Sequence, residues 1–171
     1  IAAHANQSRI HQFPLDDKEN CLYSSDVISF AREKGYFEGL NRDFSFANAY
    51  APLDFGARRY CEARVWSFYN MFTDRGEEFL PYILGSTDKP MPLYVKAKKR
   101  ISVQEIQQAM RDHYEGTPLD LSQDFGAGIN HSPYRLSPLS FTVDGEEYFN
   151  ERPISTQQTG WVIVAQMREQ L

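Results

Sequence analysis

Asp54-Phe55-Gly56-Ala57-Arg58-Arg59-Tyr60-Cys61-Glu62-Ala63-Arg64-Val65-Trp66 opens a long helical pattern. Apolar residues at Ala57, Tyr60, Cys61, Val65, Phe68, Tyr69 and Phe72 follow the 3.6-residue period. They cover a wide face, so the helix is expected to pack on more than one side. Arg58, Arg59 and Arg64 interrupt this apolar segment within seven residues. A buried guanidinium is unfavourable by several kcal/mol unless it is paired. The plain reading is that Arg58 and Arg64 run their stems over the surface and pair with Glu62 or other carboxylates. The functional reading is that at least one of the three faces an anionic group or a site.

Around this helix the chain reads as one folded domain or a large part of one. It has 171 residues, 42% of them hydrophobic and 14% aromatic, enough to build a core and far from a disordered composition. A net charge of −5 argues against nucleic acid as a partner, and Lys96 to Arg100, the one basic cluster, reads as a solvated turn. No apolar run approaches the roughly 20 residues of a membrane span, so no membrane partner is expected. Cys21 and Cys61 have no metal-ligand spacing to the four histidines, so neither a metal nor a cofactor is expected. Cys61 reads as a small buried apolar residue. The chain starts Ile1-Ala2-Ala3-His4 without an initiator Met or a signal-peptide pattern. Any targeting information is expected upstream; a cytoplasmic location is favoured, with a secreted or periplasmic one as the alternative.

Upstream of the arginine helix, residues 1–10 read as a short strand that turns polar at Asn6. Strand ends carrying Asn-x-Ser-Arg are places where donors reach a site, although an asparagine there is also an ordinary turn former. Ser24 or Ser25 should cap a helix with Val27, Ile28, Phe30 and Ala31 inward and Gly35 as its stop. Residues 36–53 read as irregular, and Phe44-Ser45-Phe46 permits a short strand. Downstream, a helix near Glu77 to Leu84 and an extended piece at Leu93-Tyr94-Val95 are expected. Ser102 and Glu105 form a capping box. The helix they start should bury Val103, Ile106, Met110, His113 and Tyr114, and end at Gly116 and Pro118. On that stripe His113 reads as a core or boundary histidine. The Gly-, Pro-, Asp- and Ser-rich loop 117–138 is long enough to be functional. Leu139 to Val143, Asp144-Gly145 and Glu146 to Asn150 form a hairpin pattern. Thr159 to Met167 is nearly all apolar and reads as a central strand covered on both faces. Helices and strands mix without regular alternation, so the fold class is α+β. There is no Gly-rich phosphate loop, no zinc-type histidine motif and no Gly-x-Ser-x-Gly. The candidate site elements are Asn6, the arginine cluster and the 115–135 loop.

Six ordered stretches then carry a resemblance. Ala5-Asn6-Gln7-Ser8-Arg9-Ile10, Tyr23-Ser24-Ser25-Asp26-Val27-Ile28-Ser29-Phe30-Ala31 and Gly56-Ala57-Arg58-Arg59-Tyr60-Cys61 come first. Arg111-Asp112-His113-Tyr114-Glu115-Gly116-Thr117-Pro118, Phe149-Asn150-Glu151-Arg152 and Ser155-Thr156-Gln157-Gln158-Thr159-Gly160 follow. In this order they resemble the bacterial dipeptidase A family of N-terminal-nucleophile (Ntn) cysteine hydrolases. The resemblance implies part of a four-layer αββα sandwich with antiparallel sheets, and hydrolysis of small dipeptides. It implies a nucleophile that is the first residue of the mature chain, a cysteine activated by its own α-amino group. Here Ile1 is first and both cysteines are internal. The expectation is therefore that residues 1–171 form the central part of a single domain truncated at both ends, inactive alone. Two residues match the family's site: Asn6, as the amide donor of an oxyanion hole, and Arg59, as a cation near the nucleophile, with Arg58 as the alternative match. The implied partners are a dipeptide substrate and the rest of the same polypeptide, with self-association where apolar strands lack cover. The other readings are an inert scaffold or binding fragment, and a related Ntn amidase acting on another amide.

Overall fold

The computed structural model describes residues 1–124, 126–134, 140–149 and 152–168. Parts of the 117–138 loop, Leu139, and Asn150-Glu151 of one family-like stretch lie outside the described residues. The described elements are helices α1 (Val27–Glu33), α2 (Phe46–Tyr50), α3 (Phe55–Ala57), α4 (Ala63–Phe72), α5 (Gly76–Ile83) and α6 (Val103–Ala109), with short 3₁₀ turns. Strands β1 (Ser140–Val143) and β2 (Glu146–Phe149) form an antiparallel hairpin. The composition of elements is α+β.

The arginine-bearing helix is present from Phe55 to Phe72, with a π-helical segment, Arg58–Glu62, between α3 and α4. Asp54 caps it, its carboxylate accepting the Ala57 N–H at 2.6 Å. It stops at Thr73, whose backbone turns extended. Cys61, Val65, Trp66, Tyr69 and Phe72 are buried, so the wide apolar face is real. The main core gathers α4, α5, Met91, Val95, Tyr114, Leu119 and Leu121, and Ile1, Ala3 and Ala5 pack against it. A second cluster joins α1 and α2 through Val27, Ile28, Ala31, Phe44 and Ala49.

Several local expectations hold for the physical reasons given. Ser102 and Glu105 close both halves of the capping box. Asp144 and Gly145 both have positive φ (52° and 85°), as the two central residues of a type I′ hairpin turn require. Gly35, at φ 71°, follows α1. Lys96 and the Lys98 to Arg100 side chains are exposed.

Others are corrected. Residues 1–10 form no strand, only a single bridge from Ala2 to Tyr94. Asp26, without a side-chain capping bond, precedes α1, and Phe30 faces outward at 41% exposure. The Phe44-Ser45-Phe46 alternation is a helix start instead, because the Ser45 hydroxyl accepts the Asn48 N–H and caps α2. Helix α6 ends at Ala109 rather than at Gly116. His113 and Tyr114 are buried from the loop beyond it, Tyr114 at φ 67°. Residues 160–168 form no strand, and Trp161, Ile163 and Met167 are 78%, 74% and 93% exposed. A run of apolar residues shows the need for a cover; it does not supply the neighbouring strands.

Candidate active site

The N-terminal run sorts its side chains by alternation. Ile1, Ala3, Ala5 and Arg9 turn toward the core, whereas Ala2, His4, Asn6 and Ile10 are exposed. This period of two puts Asn6 and Arg9 on opposite faces, and each meets a different part of the arginine helix.

On the inner face, Arg9 is 6% exposed and Glu62 is 3% exposed. Arg9 Nε lies 3.0 Å from Glu62 Oε1 and 3.2 Å from Oε2. Its Nη1 donates to Ala3 O and to Tyr69 Oη, both at 3.1 Å. Its Nη2 donates to Met91 O at 3.1 Å and Pro92 O at 3.2 Å. The guanidinium thus satisfies all its nitrogens while tying the N-terminal run to α4 and to the 91–95 segment. Burial pushes the Glu62 carboxyl upward, against the opposing pull of Arg9. Sequence reading did not single out Arg9; its place in phase with Ile1, Ala3 and Ala5 was the available signal.

The same helix carries Arg58 toward residues 87–88. Its Nη2 meets Asp88 Oδ1 at 2.9 Å, Nη1 reaches Thr87 O at 3.4 Å, and its guanidinium lies 4.8 Å above the Tyr82 ring. Its Nε is buried without a hydrogen-bond partner. Gln7, Ser8, Arg58, Glu62, Tyr82 and Asp88 are among the residues that line a cleft of about 530 Å³. Burial first, and then the nearby Glu62 charge, push the Tyr82 hydroxyl up to about 12. None of the three helix arginines pairs with Glu62 in the described structure; Arg9 takes that place.

On the outer face, the arginine brought to Asn6 is Arg64. Its Nη2 donates to Asn6 Oδ1 at 2.7 Å, and its Nε donates to Tyr60 O at 2.6 Å. Asn6 Nδ2 has no acceptor among the described residues. Arg59, the other residue singled out from sequence, sits in the π-helical segment with its guanidinium 5.8 Å from the Phe55 ring centroid. An amide with its oxygen engaged and its nitrogen open is a hydrogen-bond donor with a fixed direction. Such a donor suits charge developing on a carbonyl oxygen.

A second polar group lies beyond α6. Ser67 Oγ donates to Asp112 Oδ2 at 2.7 Å, and His113 Nδ1 is 2.9 Å from Glu115 Oε1. Burial, helped by the Glu115 charge and opposed by the Ser67 bond, raises Asp112 to about 6. His113 is buried, as read, but its Nε2 lacks a hydrogen-bond partner. Cys21 and Cys61 are both free thiols. No group of three or more His, Cys, Asp or Glu among the described residues is placed to hold a metal ion. No described helix is long and apolar enough to cross a membrane.

Comparison with known proteins places this geometry in context. The chain is 28% identical over 157 residues to a probable dipeptidase of Salmonella dublin, covering 91% of this chain and 34% of that protein. It is 26% identical over 163 residues to dipeptidase A of Lactobacillus helveticus, covering 92% of this chain and 32% of that protein. The chain therefore spans about a third of the length of the curated relatives it matches. No solved structure matches it significantly. The sequence profile of peptidase family C69 matches residues 1–171, so the chain belongs to peptidase family C69.

Proposed function

We propose that the protein containing this chain is a dipeptidase that cleaves small dipeptides by acyl transfer to a cysteine thiol at the mature N-terminus. In this reading residues 1–171 are the central part of one αββα sandwich domain, and the nucleophile comes from elsewhere in the polypeptide. The observation that carries the reading is the Asn6 carboxamide, held by its oxygen and open at its nitrogen. The dipeptidase names of two relatives that match over nine-tenths of this chain support the substrate class.

The chemistry runs as follows. Attack of the thiolate on the peptide carbonyl carbon forms the carbon–sulfur bond and moves an electron pair onto the carbonyl oxygen. Asn6 Nδ2 donates to that oxyanion, and collapse expels the amine, which takes a proton from the α-ammonium. Water then attacks the thioester carbonyl, giving a proton to the α-amine and forming a second oxyanion that the same donor meets; its collapse breaks the carbon–sulfur bond, releases the acid and restores the thiolate beside the α-ammonium. Arg59 supplies a fixed positive charge near the thiolate, which lowers the cost of forming it.

The test is a dipeptide panel with free amino acids as readout, run on the full-length protein and on residues 1–171 alone. The full-length protein is expected to turn over dipeptides and to lose activity on thiol alkylation, and the isolated chain to be inactive. Turnover by the isolated chain that disappears in Cys21→Ala or Cys61→Ala would contradict the reading and point to an internal nucleophile.

A further inference from the structure

Arg64 joins two features that sequence spacing keeps apart. Asn6 is 58 positions away, and Tyr60 lies inside the π-helical segment. In that segment the Ala63 N–H reaches back five residues to Arg58 O, so the helix wall is locally widened. π-Segments of this kind recur at functional sites, where they re-aim groups that a regular helix would hold elsewhere. Here the Tyr60 carbonyl accepts Arg64 Nε at 2.6 Å. With Nε anchored, the rigid plane of the guanidinium fixes where Nη2 points, and it meets Asn6 Oδ1 at 2.7 Å. Among the described residues no carboxylate pairs with Arg64, so its charge is directed at the amide rather than neutralised.

We propose that Arg64 is a positioning residue: anchored on the π-helical carbonyl of Tyr60, it sets the Asn6 carboxamide with Nδ2 outward toward the reacting carbonyl. This rests on the reading of Asn6 as the oxyanion donor. Two physical effects follow. An amide can present either end, and a cation at Oδ1 selects the orientation in which the nitrogen faces the substrate. A charge-assisted bond to the oxygen also polarises the amide, which strengthens its N–H groups as donors. Lysine does not replace this clamp, because an ammonium is a point donor on a flexible stem and lacks the planar fork that spans both acceptors.

The experiment is a double-mutant cycle in the full-length protein, with kcat and KM measured on one good dipeptide and thermal unfolding recorded for each variant. Asn6→Ala is expected to lower kcat by on the order of 10²–10³-fold. Arg64→Ala is expected to lower kcat by about 10–100-fold with little change in KM, the range typical of groups that orient a functional ligand. Combined with Asn6→Ala, it should cost no more than about a further twofold, because the group it orients is already gone. Should Arg64→Ala fail to fold, Arg64→Lys carries the same cycle, with a smaller loss of kcat alone and none in the Asn6→Ala background. Losses that multiply in the double variant, or a loss confined to KM and melting temperature, would overturn the positioning role while leaving Asn6 in place. An unchanged kcat in Asn6→Ala would remove the reading of Asn6 itself, and this inference with it.

Discussion

At the scale of single residues, the polar interior divides into groups satisfied by geometry and groups held against their preference. Arg9 belongs to the first kind: each nitrogen has a partner, and removing Glu62 would strand a buried cation at a cost of about 3–5 kcal/mol. Asp112 belongs to the second. Burial raises it to about 6 from an ordinary 3.8, although the Ser67 hydroxyl favours its charged form. A carboxyl that binds its proton more tightly when folded stabilises the fold fully below its unfolded pKa, and that contribution is lost as pH rises through about 6. Folding stability should therefore fall between pH 4 and 6 by an amount on the order of 2 kcal/mol attributable to this group. Asp112→Asn should remove that slope and keep the Ser67 bond; urea unfolding at several pH values checks it, and an unchanged slope would contradict it. None of these partnerships was legible in the chain. The motif points to Asn6, but sequence spacing points Glu62 to neighbouring arginines, because i,i+4 proximity is visible in the chain and Arg9, 53 positions away, is not.

At the scale of elements, the legible parts were those whose signals are local. The Asp54 to Thr73 helix, the Ser102–Glu105 box and the Asp144-Gly145 turn each carry cap, period and turn chemistry within a few residues. The π-helical segment was not legible, since no local rule distinguishes its apolar spacing from that of an α-helix. The end of α6 was missed for a related reason: His113 and Tyr114 continue the helical period but are buried from a loop. Packing between α4 and α5 gives an element-scale prediction. Trp66 Nε1 donates to Gly76 O at 2.8 Å, and a Cβ on Gly76 would lie 1.8 Å from Asn70 Oδ1 and 2.9 Å from Asn70 Cβ. Gly76→Ala should destabilise by about 1–3 kcal/mol, because Asn70 must leave its place. Asn70→Ala should relieve the part of that cost set by the Oδ1 contact and keep the part set by the Cβ contact at 2.9 Å; a double variant no more stable than Gly76→Ala, measured by thermal unfolding, would contradict this.

At the scale of the molecule, two apolar clusters and a hairpin make an α+β arrangement, and the α+β class followed from the mixture of element types. Layering was not readable from the chain, because the apolar stretch 159–167 announces burial without naming what buries it. In the described structure Trp161, Ile163 and Met167 stand exposed. Exposed apolar segments favour association, so residues 1–171 alone should self-associate or capture the rest of the polypeptide. Light scattering across a wide concentration range should show a mass that rises with concentration, and a constant monomer mass would count against it. A donor at Asn6 that meets charge only in the transition state must act on kcat. The direct measurement is steady-state kinetics of full-length Asn6→Ala on a dipeptide. A kcat lowered by roughly 10²–10³-fold, equivalent to about 2.7–4 kcal/mol, with KM nearly unchanged, is the predicted result. A kcat equal to that of the unaltered enzyme would contradict the assignment.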